Sequence, residues 1–161
     1  MTTFLKSGAA AVAAMMLAAT SAQADKLLDG VNNLAHEHMI CAAYTAIVTA
    51  CLIQKEPNDP AVAQYQTYTG NLLTRGLQTG KVAGVSQKAA EARISIAREE
   101  MMEEIEKTCS NISILLHKHA NSCKALLANG PERLQALITE AEKDAAAAKQ
   151  KPSQGKRKPL E

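Results

Sequence analysis

Apolar and small side chains return along the first third of the chain at Leu27, Val31, Leu34, His38, Cys41, Thr45, Val48 and Leu52, in alternating steps of four and three. That is the stripe of a helix turning every 3.6 residues, and Ile40, Tyr44, Ile47 and Cys51 widen it to the breadth of a buried face over residues 26–55. The segment "EPNDP" stops it, and Asp59 with Pro60 forms a cap and first-turn pair for a second helix. This second helix, residues 60–78, buries Val62, Tyr65, Leu72, Leu73 and Leu77. Gly70 and Gly76 interrupt it, each weakening a helix interior by about 1 kcal/mol relative to Ala, so it is expected to be the softest element. "TGKVAGVS" reads as the turn that follows, with Ser86 as the next cap.

Residues 86–127 contain neither Gly nor Pro, and their stripe runs through Met102, Ile105, Cys109, Ile112, Leu116, His119, Cys123 and Leu126. One straight helix of that length would span about 63 Å. The run "TCSNIS" at 108–113 consists of poor helix formers and marks the place for a break, with Ser110 or Asn111 restarting the helix. "NGPERL" predicts a stop at Gly130 and a fresh start at Pro131, opening a last helix that buries Leu134, Leu137, Ile138, Ala141 and Ala145. Nothing in the pattern alternates as a strand would. The expected fold is an all-α bundle of four to five helices.

The chain's start changes the picture of where this bundle works. "MTTFLKSGAAAVAAMMLAATSAQA" has one cation, an uncharged Ala- and Met-rich run and a small-x-small ending, the layout of a signal peptide cut after Ala24. The apolar run is too weak for an ordinary membrane span. Cleavage leaves residues 25–149 as a single domain and 150–161 as a basic tail, rich in Pro, Gly and Lys and expected to be disordered. The predicted location is the periplasm or the medium.

Charge excludes more than it assigns. The tail "KPSQGKRKPLE" carries four bases and one acid, which leaves thirteen bases against fifteen acids over residues 25–150, a net charge of −2. A mildly acidic body, with three tyrosines as its only aromatic residues after residue 24, argues against nucleic acid as a partner. Contact of the tail with an anionic membrane surface is a secondary reading, since four charges make a marginal polybasic signal.

Four cysteines behind an export signal read first as two disulfides. On straight helices Cys41 and Cys51 stand about 15 Å apart and Cys109 and Cys123 about 21 Å, so neighbours in sequence do not pair. Two pairings remain. With the first helix antiparallel to the 109–123 segment, Cys41 meets Cys123 and Cys51 meets Cys109; the parallel arrangement joins Cys41 to Cys109 and Cys51 to Cys123 and fits equally in length. Connection lengths favour the antiparallel one, because the parallel pairing slides the third helix well past the first. In the loop-entropy model each bridge contributes on the order of 4 kcal/mol. The Cys41-x9-Cys51 spacing followed by a second spaced pair resembles the twin Cys-x9-Cys helical hairpins of the mitochondrial intermembrane space. It departs from them in the second spacing of thirteen, in the 57 residues between the pairs and in the export signal, so the likeness is one of geometry.

Other chemistry is sparse. His36 with His38, and His117 with His119, are His-x-His pairs whose rings point about 200° apart on a helix, so neither pair chelates from one face. Only the inward members, His38 and His119, are candidates for a metal, and the antiparallel packing sets them roughly 10 Å apart along the axis. No Cys-x-x-Cys, phosphate loop, nucleophile elbow or paired-acid motif is present. The glutamates of "REEMMEEIEK" (98–107) fall on the water side, with Met101, Met102 and Ile105 inward. No enzyme activity and no cofactor is expected. The reading is an exported, non-catalytic protein that touches another envelope protein as an adaptor, holdase or inhibitor/immunity-like partner, through the acidic third helix or the soft second one. The alternative is a periplasmic metal carrier using His38 and His119.

Overall fold

The computed structural model describes residues 21–150, with side chains for residues 24–148. The proposed signal peptide therefore lies outside the described residues except for its last few positions, and so does the basic tail from residue 151 onward. The described residues form four helices, α1 (Ser21–Lys55), α2 (Pro60–Val82), α3 (Gln87–Glu104) and α4 (Ser113–Gln150), with a 3-10 turn at Cys109–Asn111 before the last. The described residues contain no strand.

The helices are arranged around α1, which packs on α2, α3 and α4, while the outer three touch one another little. Between His38 and Thr49 every residue of α1 is buried except Ile40 and Ala46, which are half-buried. Such a helix is apolar all round, as a core helix must be. By length and composition the stretch Ala24–Lys55 passes for a membrane span, yet 61% of its most apolar window is covered by the other helices. Its buried threonines bond to their own helix: the Thr45 hydroxyl donates to the Cys41 carbonyl at 2.9 Å and that of Thr49 to the Thr45 carbonyl at 2.7 Å. Thr69 of α2 then donates to the Thr45 hydroxyl at 2.9 Å, the one side-chain bond joining these two helices among the described residues.

Both N-terminal caps act as their sequences indicate. The Asp59 carboxylate accepts from the Ala61 amide at 2.8 Å and the Ser86 hydroxyl from the Ala89 amide at 3.2 Å. α2 runs to Val82 rather than ending near Gln78. It closes with a Schellman pattern, Val85 N–H to Gly80 C=O at 2.8 Å and Gly84 N–H to Lys81 C=O at 3.1 Å, and Gly84 takes the left-handed conformation at φ 77°. Gly76 also serves packing: a Cβ there would lie 3.2 Å from His38 Cβ and from Met39 Cγ, so the missing side chain lets α2 seat closely on α1. Gly70 has open space around it.

Two further expectations need correction. The 86–127 run does break, but the helix ends at Glu104, ahead of "TCSNIS", and resumes at Ser113 rather than Ser110 or Asn111. The ending is again a Schellman pattern, Lys107 N–H to Met102 C=O at 2.7 Å and Glu106 N–H to Glu103 C=O at 2.9 Å. Here Glu106 at φ 54° and Lys107 at φ 57° occupy the positions a glycine usually fills. Thr108 then caps the 3-10 turn, its hydroxyl accepting from the Ser110 amide at 3.3 Å.

The second correction is at "NGPERL", where no break occurs and Pro131 lies inside α4. A proline in a helix leaves the carbonyl four residues back without its amide donor. That carbonyl belongs to Leu127, and Arg75 of α2 donates to it at 2.8 Å. Gly130 ends nothing; it lies against His38, where a Cβ would come within 2.9 Å of the imidazole Nε2. The described residues therefore hold four helices, the lower of the expected four to five.

Arg75 and Pro131 should therefore be energetically coupled. Arg75→Ala is expected to destabilise the protein by about 1–3 kcal/mol. In the Pro131→Ala background, where a backbone amide can reach the Leu127 carbonyl, the same change should cost at least about 1 kcal/mol less. Urea unfolding of the four oxidised proteins of this cycle measures the difference, and equal costs in both backgrounds would contradict the assignment.

Candidate functional site: the histidine and cysteine seam of α1 and α4

The two elements carrying nearly all the distinctive chemistry, α1 and α4 with its preceding turn, lie side by side. Cys41 is bonded to Cys123 and Cys51 to Cys109, each with Cα atoms 5.3 Å apart. The pairing makes α1 antiparallel to the 109–123 segment. The bridges close loops of 82 and 58 residues, which places each on the order of 4 kcal/mol in the loop-entropy model. With the described cysteines all bonded, there is no free thiol among them to serve as a nucleophile or a metal ligand.

The histidines divide as the helix period requires. His36 and His117 are exposed, while His38 is buried and His119 half-buried. His38 Nδ1 lies 2.8 Å from the Leu34 carbonyl. A carbonyl only accepts, so the proton sits on Nδ1 and Nε2 presents a lone pair. That lone pair is buried with no hydrogen-bond partner. Burial, aided by the cations of Arg75 and Arg133, holds His38 below the ordinary imidazole range. Beside it, Glu37 receives two bonds from the Arg133 guanidinium, Nη2 to Oε1 at 2.9 Å among them, and this keeps its carboxyl below the usual range.

His119 sits at the other end of the seam, against Tyr44, with ring centroids 5.7 Å apart. Its Nε2 is buried without a partner, and the buried Tyr44 hydroxyl has no hydrogen bond of normal geometry, although Tyr65 lies near enough to interact with it. Burial and then Lys118 lower the basicity of His119, and burial together with nearby Tyr65 pushes the Tyr44 phenol up. His38 is level with Gly130, eleven residues along α4 from His119, so the two candidate ligands are separated by about 16 Å of helix. The described residues contain no group of three or more His, Cys, Asp or Glu side chains able to hold a metal.

The acidic run of α3 faces water: Glu99, Glu100 and Glu103 are exposed, and the half-buried Glu104 pairs with Lys118 of α4 at 2.7 Å. Met101 and Ile105 are buried beneath them. The crevice between α1 and α4, lined by Lys26, Leu27, Leu137, Glu140, Ala141 and Asp144, has a volume of about 30 Å³, room for little more than a water molecule. The chain matches no protein-family model, no curated protein and no solved structure.

Sequence reasoning placed His38 and His119 inward but missed what surrounds them. The partners of His38, Arg75 and Arg133, come from two other helices, and no spacing rule relates them to it. Tyr44 was legible only as an apolar position, although its hydroxyl is the costly part. Removing that buried hydroxyl with Tyr44→Phe should leave the fold intact and raise its stability by about 1 kcal/mol. Chemical denaturation of the oxidised protein reads this directly, and a loss of similar size would show that the hydroxyl is bonded, to Tyr65 or to a water.

Proposed function

We propose that the protein is exported to an oxidising compartment, the periplasm or the medium, and acts there without catalysis by binding another protein of the cell envelope. An adaptor, a holdase and an inhibitor or immunity-type partner all fall within this reading. Two disulfides and an apolar N-terminus are compatible with export.

One observation carries the choice of surface. Ile96, Glu99, Glu100 and Glu103 recur at i, i+3, i+4 and i+7, so they share one face of α3, and Ile96 is 55% exposed. A large apolar side chain with carboxylates on its C-terminal side suits a basic surface with an apolar pocket: the isoleucine supplies buried area, and the charges supply orientation and encounter rate. α2 is the weaker candidate, because Gly76 and Gly80 are spent on contact with α1.

The test places a photo-crosslinking residue at position 96 of the full chain expressed in its native host. A discrete adduct with a basic envelope protein is expected, reduced at least tenfold when Glu99, Glu100 and Glu103 are changed to Lys and weakened by salt. Retention of the chain in the cytoplasm, or an adduct pattern no different from a crosslinker at exposed Gln135, would refute the proposal.

A further inference from the structure

Three helices meet at His38. Its own helix supplies the Leu34 carbonyl to Nδ1; α2 brings Gly76 against its Cβ and the Arg75 guanidinium nearby; α4 brings Gly130 against Nε2. The charged groups facing the ring are Arg75 from α2, Arg133 from α4 and Glu37 from α1, and Glu37 is already engaged by Arg133. A proton arriving at Nε2 would find no acceptor, a glycine backbone in contact and two cations close by. An unpaired charge in such a place is strongly unfavourable.

The covalent staples do not protect this junction. Both bridges lie at or before Cys123, so residues 124–148 of α4 are held by noncovalent contacts alone. These are Arg75 on the Leu127 carbonyl, Arg133 on Glu37, Leu137 against Gly30, and Lys26 with Glu140 and Asp144 near the far end. The last pair is exposed and contributes little. Buried apolar contact in this half of the helix comes chiefly from Leu126 and Ile138.

We propose that His38 is a proton-operated latch on the unstapled half of α4: a proton taken up at Nε2 releases residues 124–148 from α1 and α2, while the two disulfides keep the remainder of the bundle assembled. Release uncovers apolar surface that the neutral form covers, chiefly the buried Leu34 on α1 and Ile138 on α4, with the half-buried Leu134 beside them.

The direction in pH follows from linkage. In the closed form His38 is held below its ordinary value, and in the open form it regains about 6.5. The contribution of neutral His38 to closure is complete above about pH 6.5 and is lost as the pH falls below it, until the closed form also takes up the proton. At pH 5.0 the opening equilibrium can rise by up to about thirtyfold over pH 7.5.

Hydrogen exchange of the oxidised full chain at pH 7.5 and pH 5.0, corrected for intrinsic rates, tests the proposal. Residues 124–148 should lose protection by about ten- to thirtyfold, whereas residues 41–51 and 114–123 should keep theirs. In His38→Leu, which cannot titrate, the difference between the two pH values should vanish. Should that variant fail to fold, an NMR titration of the wild-type His38 imidazole decides: the ring must titrate in step with the opening and below the ordinary imidazole range. Unchanged protection of 124–148, a loss shared equally by 41–51, a persistent response in His38→Leu, or a His38 ring titrating at or above the ordinary imidazole range would each overturn it.

Discussion

Everything in this molecule depends on covering one helix from every side. α1 from His38 to Thr49 is buried except at the half-buried Ile40 and Ala46, so three other helices must be drawn around it before its apolar surface is removed from solvent. A chain with three tyrosines and no other aromatic residue in its folded part has few large side chains for this task. Close approach stands in for bulk. Gly76 and Gly80 of α2 seat against Ala35, His38 and Met39, and Gly130 of α4 seats against His38. These contacts gain dispersion energy through proximity rather than through size.

The disulfides answer a different weakness of the same plan. The outer helices barely touch one another, so each is held mainly by its contact with α1. Linking α1 to the start of α4 and to the turn before it fixes the antiparallel register and removes loop entropy from the unfolded chain. α2 is held at both ends by short connections and by the Thr69 to Thr45 bond. α3 is tied to α1 by Arg93, which donates to the Asn32 side chain at 2.9 Å. The far half of α4 has only side-chain chemistry to retain it, and there the buried imidazole and two arginine contacts, Arg75 on the Leu127 carbonyl and Arg133 on Glu37, concentrate.

Helix existence and the register of the cysteines were legible because both obey local rules. The 3.6 period marks the buried faces, and a rise of 1.5 Å per residue limits which cysteines can meet. Helix ends were legible only where the residue type matched the backbone. Gly84 takes a left-handed conformation and is visible as a stop; Glu106 takes the same conformation with no such mark, so the end of α3 fell earlier than "TCSNIS" suggested. Pro131 misled for the opposite reason. Its usual meaning is a helix boundary, and the guanidinium that makes it tolerable inside α4 lies 52 residues upstream from the carbonyl it satisfies. The environment of His38 was hidden in the same way, being assembled from α2 and α4 around a position whose own helix shows only that it points inward.

The account stands on α1 being stapled antiparallel to the 109–123 segment, and a peptide map of the non-reduced protein from an oxidising compartment, with free thiols trapped before digestion, tests that most directly. The account predicts one linked pair of peptides containing Cys41 and Cys123 and another containing Cys51 and Cys109, with no trapped thiol. Links from Cys41 to Cys109 and from Cys51 to Cys123, or free thiols at these positions, would contradict it.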